Sequence, residues 1–122
     1  MVSKRIIVVD DEEIFLVILK RMAEKIDNNV EVMTYEDGRK ALEELTIGPA
    51  PDIIFLDINM GQMDGWEFLE NYTKLDLQKS TDIYMLSSSS REEDLERIKQ
   101  YSVVKGFVMK PIHPEILKNI LG

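Results

Sequence analysis

The chain has 122 residues, 15 basic against 23 acidic, for a formal charge of −8. This length suits one compact domain, and the negative balance disfavours phosphate backbones and anionic lipid surfaces as partners. The absence of cysteine removes disulfides, thiolate metal sites and thiol nucleophiles, and fits a reducing compartment.

After the basic start Met1-Val2-Ser3-Lys4-Arg5 comes the short apolar run Ile6–Val9, closed by Asp10-Asp11-Glu12-Glu13. It is too short for a secretory signal or a membrane span, so a soluble, cytoplasmic protein is expected. Phe15, Ile18, Leu19, Met22 and Ile26 then recur at helical spacing and form the expected inward stripe of a first helix. Ile14, Leu16 and Val17 make the stretch apolar almost all round. A grouped apolar surface suggests a partner, so these three are expected to help dock one. A weaker run follows at Val30–Tyr35, then a second helical pattern at Ala41, Leu42 and Leu45, ended by Gly48-Pro49-Ala50-Pro51.

The third run is Ile53–Leu56, followed by a helix marked by Trp66, Phe68, Leu69 and Tyr72. Trp66 is expected in the core. Ile83–Leu86 is the fourth run. Ser90-Arg91-Glu92-Glu93 reads as a capping box, with Ser90 as N-cap and Glu93 reaching back, before a helix marked by Leu95, Ile98 and Tyr101. The last run, Phe107–Met109, leads to a fifth helix carrying Ile116, Leu117, Ile120 and Leu121. Pro114 fits its first position, where a missing N–H costs nothing, and His113 reads as a helix-start or surface residue.

Continuous apolar runs alternating with helices imply an α/β fold: a doubly wound, mostly parallel five-stranded sheet covered on both faces. Ligands of such sheets bind beyond the carboxyl ends of the strands. Four runs end there in polar residues: Asp10 and Asp11, then Asp57, then Ser87 and Ser88, then Lys110. Each has a plain structural reading. An aspartate there commonly forms a turn or caps a helix, as Asp10 or Asp11 would at the first helix; Ser87–Ser90 would be a polar loop, and Lys110 a surface lysine. Taken together, three converging carboxylates repel unless a cation neutralises them, and Mg²⁺ takes such oxygen ligands. With Mg²⁺ and Lys110 beside it, an ionised Asp57 has the character of a nucleophile, and the site suits phosphoryl transfer onto a carboxylate.

Four motifs, in order at these strand ends, carry a family resemblance. They are Val8-Val9-Asp10-Asp11-Glu12, Asp57-Ile58-Asn59-Met60-Gly61-Gln62-Met63-Asp64-Gly65, Leu86-Ser87-Ser88 and Gly106-Phe107-Val108-Met109-Lys110-Pro111. The chain resembles, over nearly its whole length, the CheY-like receiver domains of two-component response regulators. The resemblance implies strand order 2-1-3-4-5 and one receiver domain over residues 1–122, with no output domain. It implies that Asp57 is the phosphoacceptor. Asp10, Asp11, Asp57 and the Asn59 backbone carbonyl would bind Mg²⁺, Asp11 directly and Asp10 largely through water. Ser87 would be the switch hydroxyl, Lys110 the phosphate-binding lysine, and Phe107 the switch aromatic (plain core packing is the alternative). It also implies a commonly cis Lys110–Pro111 bond, where sequence alone favours trans.

The implied phosphodonor is a histidine kinase or histidine phosphotransfer protein. Phosphorylation would reshape the face of the fourth helix, fifth strand and fifth helix toward a protein target or a phosphorelay. The domain would be a monomer or a weak, phosphorylation-dependent dimer. Gly61 stands where the family usually has proline, which implies a less restrained loop, and Phe107 lacks a tyrosine hydroxyl. A dehalogenase-type phosphatase would need an acid at Asn59. A flavodoxin-like flavin binder would need a Ser/Thr/Gly-rich loop in place of Asp10–Glu13. A degenerate, binding-only receiver would have no need of Asp11, Asp57, Ser87 and Lys110 together.

Overall fold

Five strands form where the apolar runs lie: β1 (Arg5–Val9), β2 (Glu31–Tyr35), β3 (Ile53–Asp57), β4 (Asp82–Ser87) and β5 (Val104–Met109). The structure is a computed structural model and describes residues 3–75, 77, 80–89 and 91–122. All strand pairs are parallel, in the order β2-β1-β3-β4-β5. The helices between and after them are α1 (Glu13–Ile26), α2 (Gly38–Ile47), α3 (Gly65–Lys74), α4 (Glu92–Ile98) and α5 (Pro114–Leu121).

The continuous runs have a simple cause: the central strands are buried on both faces. Alternate residues Ile6, Val8, Phe55 and Leu86 pack against Leu16 and Leu19 of α1 and Leu117 of α5. Their neighbours Ile7, Val9, Ile54, Leu56 and Met85 pack the opposite way, against Leu45 of α2 and Phe68 and Leu69 of α3. Burying each such side chain contributes about 1.5–3 kcal/mol, so a polar residue anywhere inside β3 would be costly. The sheet therefore tolerates polarity only at its rim.

α1 is rotated from the expected phase. Leu16, Leu19 and Ala23 form its fully buried stripe, with Phe15, Met22 and Ile26 partly buried beside them. Ile18 was expected inside but is 51% exposed, whereas Leu16, expected on the docking surface, is 4% exposed and belongs to the core. Spacing explains the exchange: Ile14 and Ile18 lie four residues apart and so share a face, which here points outward with Val17.

Helix starts follow local chemistry. Asp37 accepts from the Arg39 N–H at α2, and Asp64 from the Glu67 N–H at α3. At α5 Pro114 holds the first turn, and His113 Nδ1 accepts from the Glu115 N–H. Neither Asp10 nor Asp11 caps α1; Glu12 takes that position without a side-chain cap bond. Ser90, expected to cap the fourth helix, lies outside the described residues, and α4 begins at Glu92 with Arg91 in the N-cap position.

α4 is short, ends before Tyr101 and has no fully buried side chain. Its attachments include a clasp on α3. The Arg97 guanidinium sits 4.6 Å from the Trp66 ring centre, the Tyr101 ring stacks on Trp66, and the Tyr101 hydroxyl donates to Glu70 at 2.6 Å. Trp66 itself is core, at 5% exposure.

Candidate functional site

Parallel strands end at one edge, and that edge gathers the polar residues. β1 runs straight into Asp10, whose N–H donates to the Tyr35 carbonyl and extends the β1–β2 pairing by one bond. β3 ends at Asp57. The chain then turns back: the Ile58 N–H donates to Leu86 and the Gly65 N–H to the Ile58 carbonyl. A Cβ at Gly65 would lie 2.7 Å from the Asp57 carbonyl oxygen and 2.9 Å from Ile58 Cα. Only glycine lets α3 begin this close to the end of β3. Ser87 ends β4 opposite Met109, and the Lys110 N–H donates to the Ser87 carbonyl at 2.8 Å. The Lys110–Pro111 peptide is cis.

Asp10, Asp11 and Asp57 each offer a carboxylate oxygen within 4.8 Å of the others. Asp10 and Asp57 are buried, whereas Asp11 is exposed. This set of hard, anionic oxygens, open on one side to solvent, fits Mg²⁺ and the several waters it retains. Asn59 is exposed, and its N–H donates to Asp57 Oδ1 at 3.3 Å. An open cleft of about 300 Å³ adjoins the cluster, bounded by Asp11, Glu36, Asp37 and residues 60–63.

Lys110 is the cation facing this cluster. Its Nζ donates to Asp10 Oδ2 at 2.8 Å and to Glu12 Oε1, and lies 3.7 Å from Asp57 Oδ2. The Phe15 ring centre is 4.8 Å from the same atom. Burial pushes the Asp57 carboxyl up to about 7, helped by the charge of Asp10 and opposed by Lys110. Burial also raises Asp10, against the lowering effect of its bonds from Lys110 and the Glu12 N–H. Burial by itself would lower Lys110, but its bonds to Asp10 and Glu12 outweigh that and hold it above its ordinary value. One ammonium thus faces more negative charge than it can offset.

Ser87 is fully buried, and its Oγ accepts from the Ser89 N–H at 3.2 Å. Strand alternation puts Ser87 on the same side of the sheet as Met85, and Phe107 packs half-buried on that side. Gly61 is exposed, its φ is not positive, and a Cβ there would meet nothing within 4 Å. The loop therefore does not depend on glycine at this point.

The structure thus gathers Asp10, Asp11, Asp57 and Lys110 in one pocket and places Ser87 on the same rim. It leaves Ile14 and Val17 on the surface and removes Leu16 from it. The contacts of Glu12 and Phe15 with Lys110 and the close approach of Gly65 to Asp57 have no counterpart among the expected site residues. The third acidic residue after β1 was the available signal for Glu12, and the glycine opening α3 was the signal for Gly65.

A 2-1-3-4-5 parallel sheet with an aspartate cluster and a lysine at its carboxyl edge defines the class: a CheY-like receiver domain. Residues 6–122 match the response regulator receiver domain family, and the chain belongs to it. Among solved structures it is similar to the chemotaxis protein CheY4 of Vibrio cholerae, with a TM-score of 0.85 and 30% identity over 97% of this chain and 95% of that one. The N-terminal domain of a response regulator receiver protein from Methanoculleus marisnigri gives a TM-score of 0.77 at 28% identity, over 97% and 94%. A protein-glutamate methylesterase/protein-glutamine glutaminase of Archaeoglobus fulgidus is 39% identical over 88% of this chain. The chain spans 30% of that relative's length and 16% of the rice response regulator ORR21, which is 29% identical. Receiver domains are signalling domains that take phosphate from histidine kinases and generally bind Mg²⁺ at an aspartate cluster. No helix among the described residues is long and apolar enough to cross a membrane.

Proposed function

We propose that this domain accepts a phosphoryl group on Asp57 from the phosphohistidine of a kinase or phosphotransfer protein. The observation that carries this reading is the convergence of Asp10, Asp11, Asp57 and Lys110 at one sheet edge. An Asp57 oxygen attacks phosphorus while the P–N bond breaks. Its electron pair stays on the imidazole, which takes up one proton and leaves as neutral histidine. Lys110 Nζ and the Ser87 hydroxyl supply hydrogen bonds to the phosphoryl oxygens, and the transfer rests on such positioning and charge stabilisation. Asp10, Asp11, Asp57 and the Asn59 carbonyl would hold Mg²⁺, which would supply positive charge to offset the carboxylates and the anionic phosphoryl group.

The output follows from Ser87 and Phe107 sharing one side of the sheet. Ser87 turns toward the new phosphate oxygens and Phe107 follows into the vacated space, which alters the α4-β5-α5 face that a protein target reads. This shifts a population only because the phosphorylated pocket favours the turned-in serine. Ile14 (76% exposed) and Val17 (44%) lie outward on α1, the helix that follows directly on Asp10–Glu12, and with Ile18 they suit docking of the phosphodonor. Alanine at Ile14 and Val17 then slows transfer from the kinase but not from small phosphodonors; equal loss with both would remove the docking role.

The test is to treat the protein with acetyl phosphate or phosphoramidate, with and without Mg²⁺, and weigh it intact beside Asp57→Asn. A Mg²⁺-dependent gain of about 80 Da, absent from Asp57→Asn, is expected. No gain, together with no Mg²⁺ binding, would leave the domain a protein-interaction module without phosphorylation chemistry.

A further inference from the structure

Lys110 faces Asp57 as an ion pair but is not hydrogen-bonded to it. Of its three N–H groups, two go to Asp10 Oδ2, at 2.8 Å, and to Glu12 Oε1. Asp57 Oδ2, at 3.7 Å, is beyond hydrogen-bond reach. The Phe15 ring closes the α1 side at 4.8 Å from Nζ. The lysine is thus held by Asp10 and by the entrance to α1, with one N–H left over, so turning a second N–H to a phosphoryl group on Asp57 requires one of these contacts to loosen.

Which contact gives way follows from burial. Asp10 is fully buried, and its other oxygen is tied down by the Glu12 N–H at 2.8 Å. An Asp10 carboxylate abandoned by its cation would be left as a buried charge without its partner, which is costly. The Glu12 side chain is 63% exposed, so its carboxylate is hydrated as soon as the lysine leaves. Glu12 can also reach Lys110 at all because it stands just outside α1, in extended backbone, with φ −91° and ψ 100°. A residue inside the helix would send its side chain along the helix surface instead.

We propose that Glu12 is a positioning residue for Lys110: it retains the ammonium away from Asp57 in the resting domain, and phosphoryl arrival draws it off. The inference rests on the phosphoacceptor reading and adds to it a brake on the rate of acceptance. In the step that tests it, Asp57 attacks phosphoramidate, the P–N bond breaks, and the nitrogen leaves as ammonia after taking up a proton. Glu12 touches neither phosphorus nor nitrogen and acts only through Lys110.

The experiment compares wild type, Glu12→Gln, Glu13→Gln and Asp57→Asn. Glu13 is the neighbouring exposed carboxylate, with no ion pair to Lys110, so its variant reports the loss of one negative charge alone. Rates of the roughly 80 Da gain from phosphoramidate with Mg²⁺ are followed by intact mass. In parallel, without phosphodonor or Mg²⁺, reductive methylation of Lys110 is timed by peptide mapping. Glu12→Gln is expected to accept phosphate about three- to fivefold faster than wild type, the range that one exposed ion pair supports. Its Lys110 should be methylated at least about twofold faster on the same grounds, with Glu13→Gln near wild type in both assays. Equal rates in wild type and Glu12→Gln, equal acceleration in Glu13→Gln, or unchanged Lys110 methylation would each overturn the role of Glu12 alone. No mass gain in wild type would instead overturn the phosphoacceptor reading, and this inference with it.

Discussion

Asp57→Asn should make the metal-free domain more stable, and by an amount that grows with pH. The wild-type carboxyl is held up at about 7 by burial and by Asp10, whereas an unfolded aspartate has its ordinary value of 3.8. The native state therefore binds this proton more tightly than the unfolded state. Its contribution to stability is complete below the unfolded value and is lost as pH rises through the folded one. The two values lie about three pH units apart, each worth about 1.4 kcal/mol, so ionised Asp57 costs the fold on the order of 4 kcal/mol at pH 8. At pH 5 the cost falls to under about 2 kcal/mol. Asparagine keeps the shape without the charge, and Lys110 keeps Asp10 and Glu12 as partners. In EDTA at pH 8 the variant should melt on the order of 10 °C higher than wild type, with the gap narrowing steadily toward pH 5. Thermal melts followed by circular dichroism across pH 5–8 measure this directly. A gap that is absent, or constant with pH, would show that the pocket does not penalise the Asp57 charge.

Other outcomes follow from the same geometry. Adding Mg²⁺ at about ten times its dissociation constant should stabilise wild type by about 1.4 kcal/mol at pH 8, more than at pH 5 where protons compete, and Asp57→Asn much less; titration calorimetry and melts check this. Lys110→Ala leaves the buried Asp10 without its cation and should cost about 3–5 kcal/mol at pH 8, less as Asp10 protonates at lower pH, measured by urea unfolding. Gly65→Ala drives a methyl group into the Asp57 carbonyl and Ile58, and should lose about 1–3 kcal/mol while slowing phosphoramidate uptake. Gly61→Ala meets open space without a positive φ, and should gain about 0.4–1 kcal/mol with uptake preserved.

The parts that sequence made legible are those where one physical rule acts locally. Strands covered on both faces cannot carry polar residues, so β1, β3 and β4 stand out as unbroken apolar runs, and the residues that end them share an edge because the strands are parallel. β5 is legible only in part, since Lys105 and Gly106 interrupt its apolar character; the strand continues back to Val104 with an irregular register against β4. The phase of α1 was ambiguous for the opposite reason. With Ile14–Leu19 apolar almost all round, periodicity could not say whether Leu16 or Ile18 faces the sheet, and packing against Ile6, Val8 and α5 decides it. Glu12 was invisible as a partner of Lys110 because 98 positions separate them. Its reach depends on a side-chain direction set at a helix entrance, which no local pattern encodes.

The clasp on α4 has an energetic consequence. A helix that buries no side chain completely can be moved without opening the core: among the described residues, displacing α4 and the Tyr101 turn behind it forfeits partly buried Ile98, the covered part of Leu95 (39% exposed), a cation–ring contact, a ring stack and an exposed hydrogen bond, each about 1 kcal/mol or somewhat more. Moving α1, α3 or α5 would expose several core side chains at about 1.5–3 kcal/mol each. The molecule therefore has one soft coordinate among stiff ones. Hydrogen exchange should find α4 opening at the lowest free energy of the five helices.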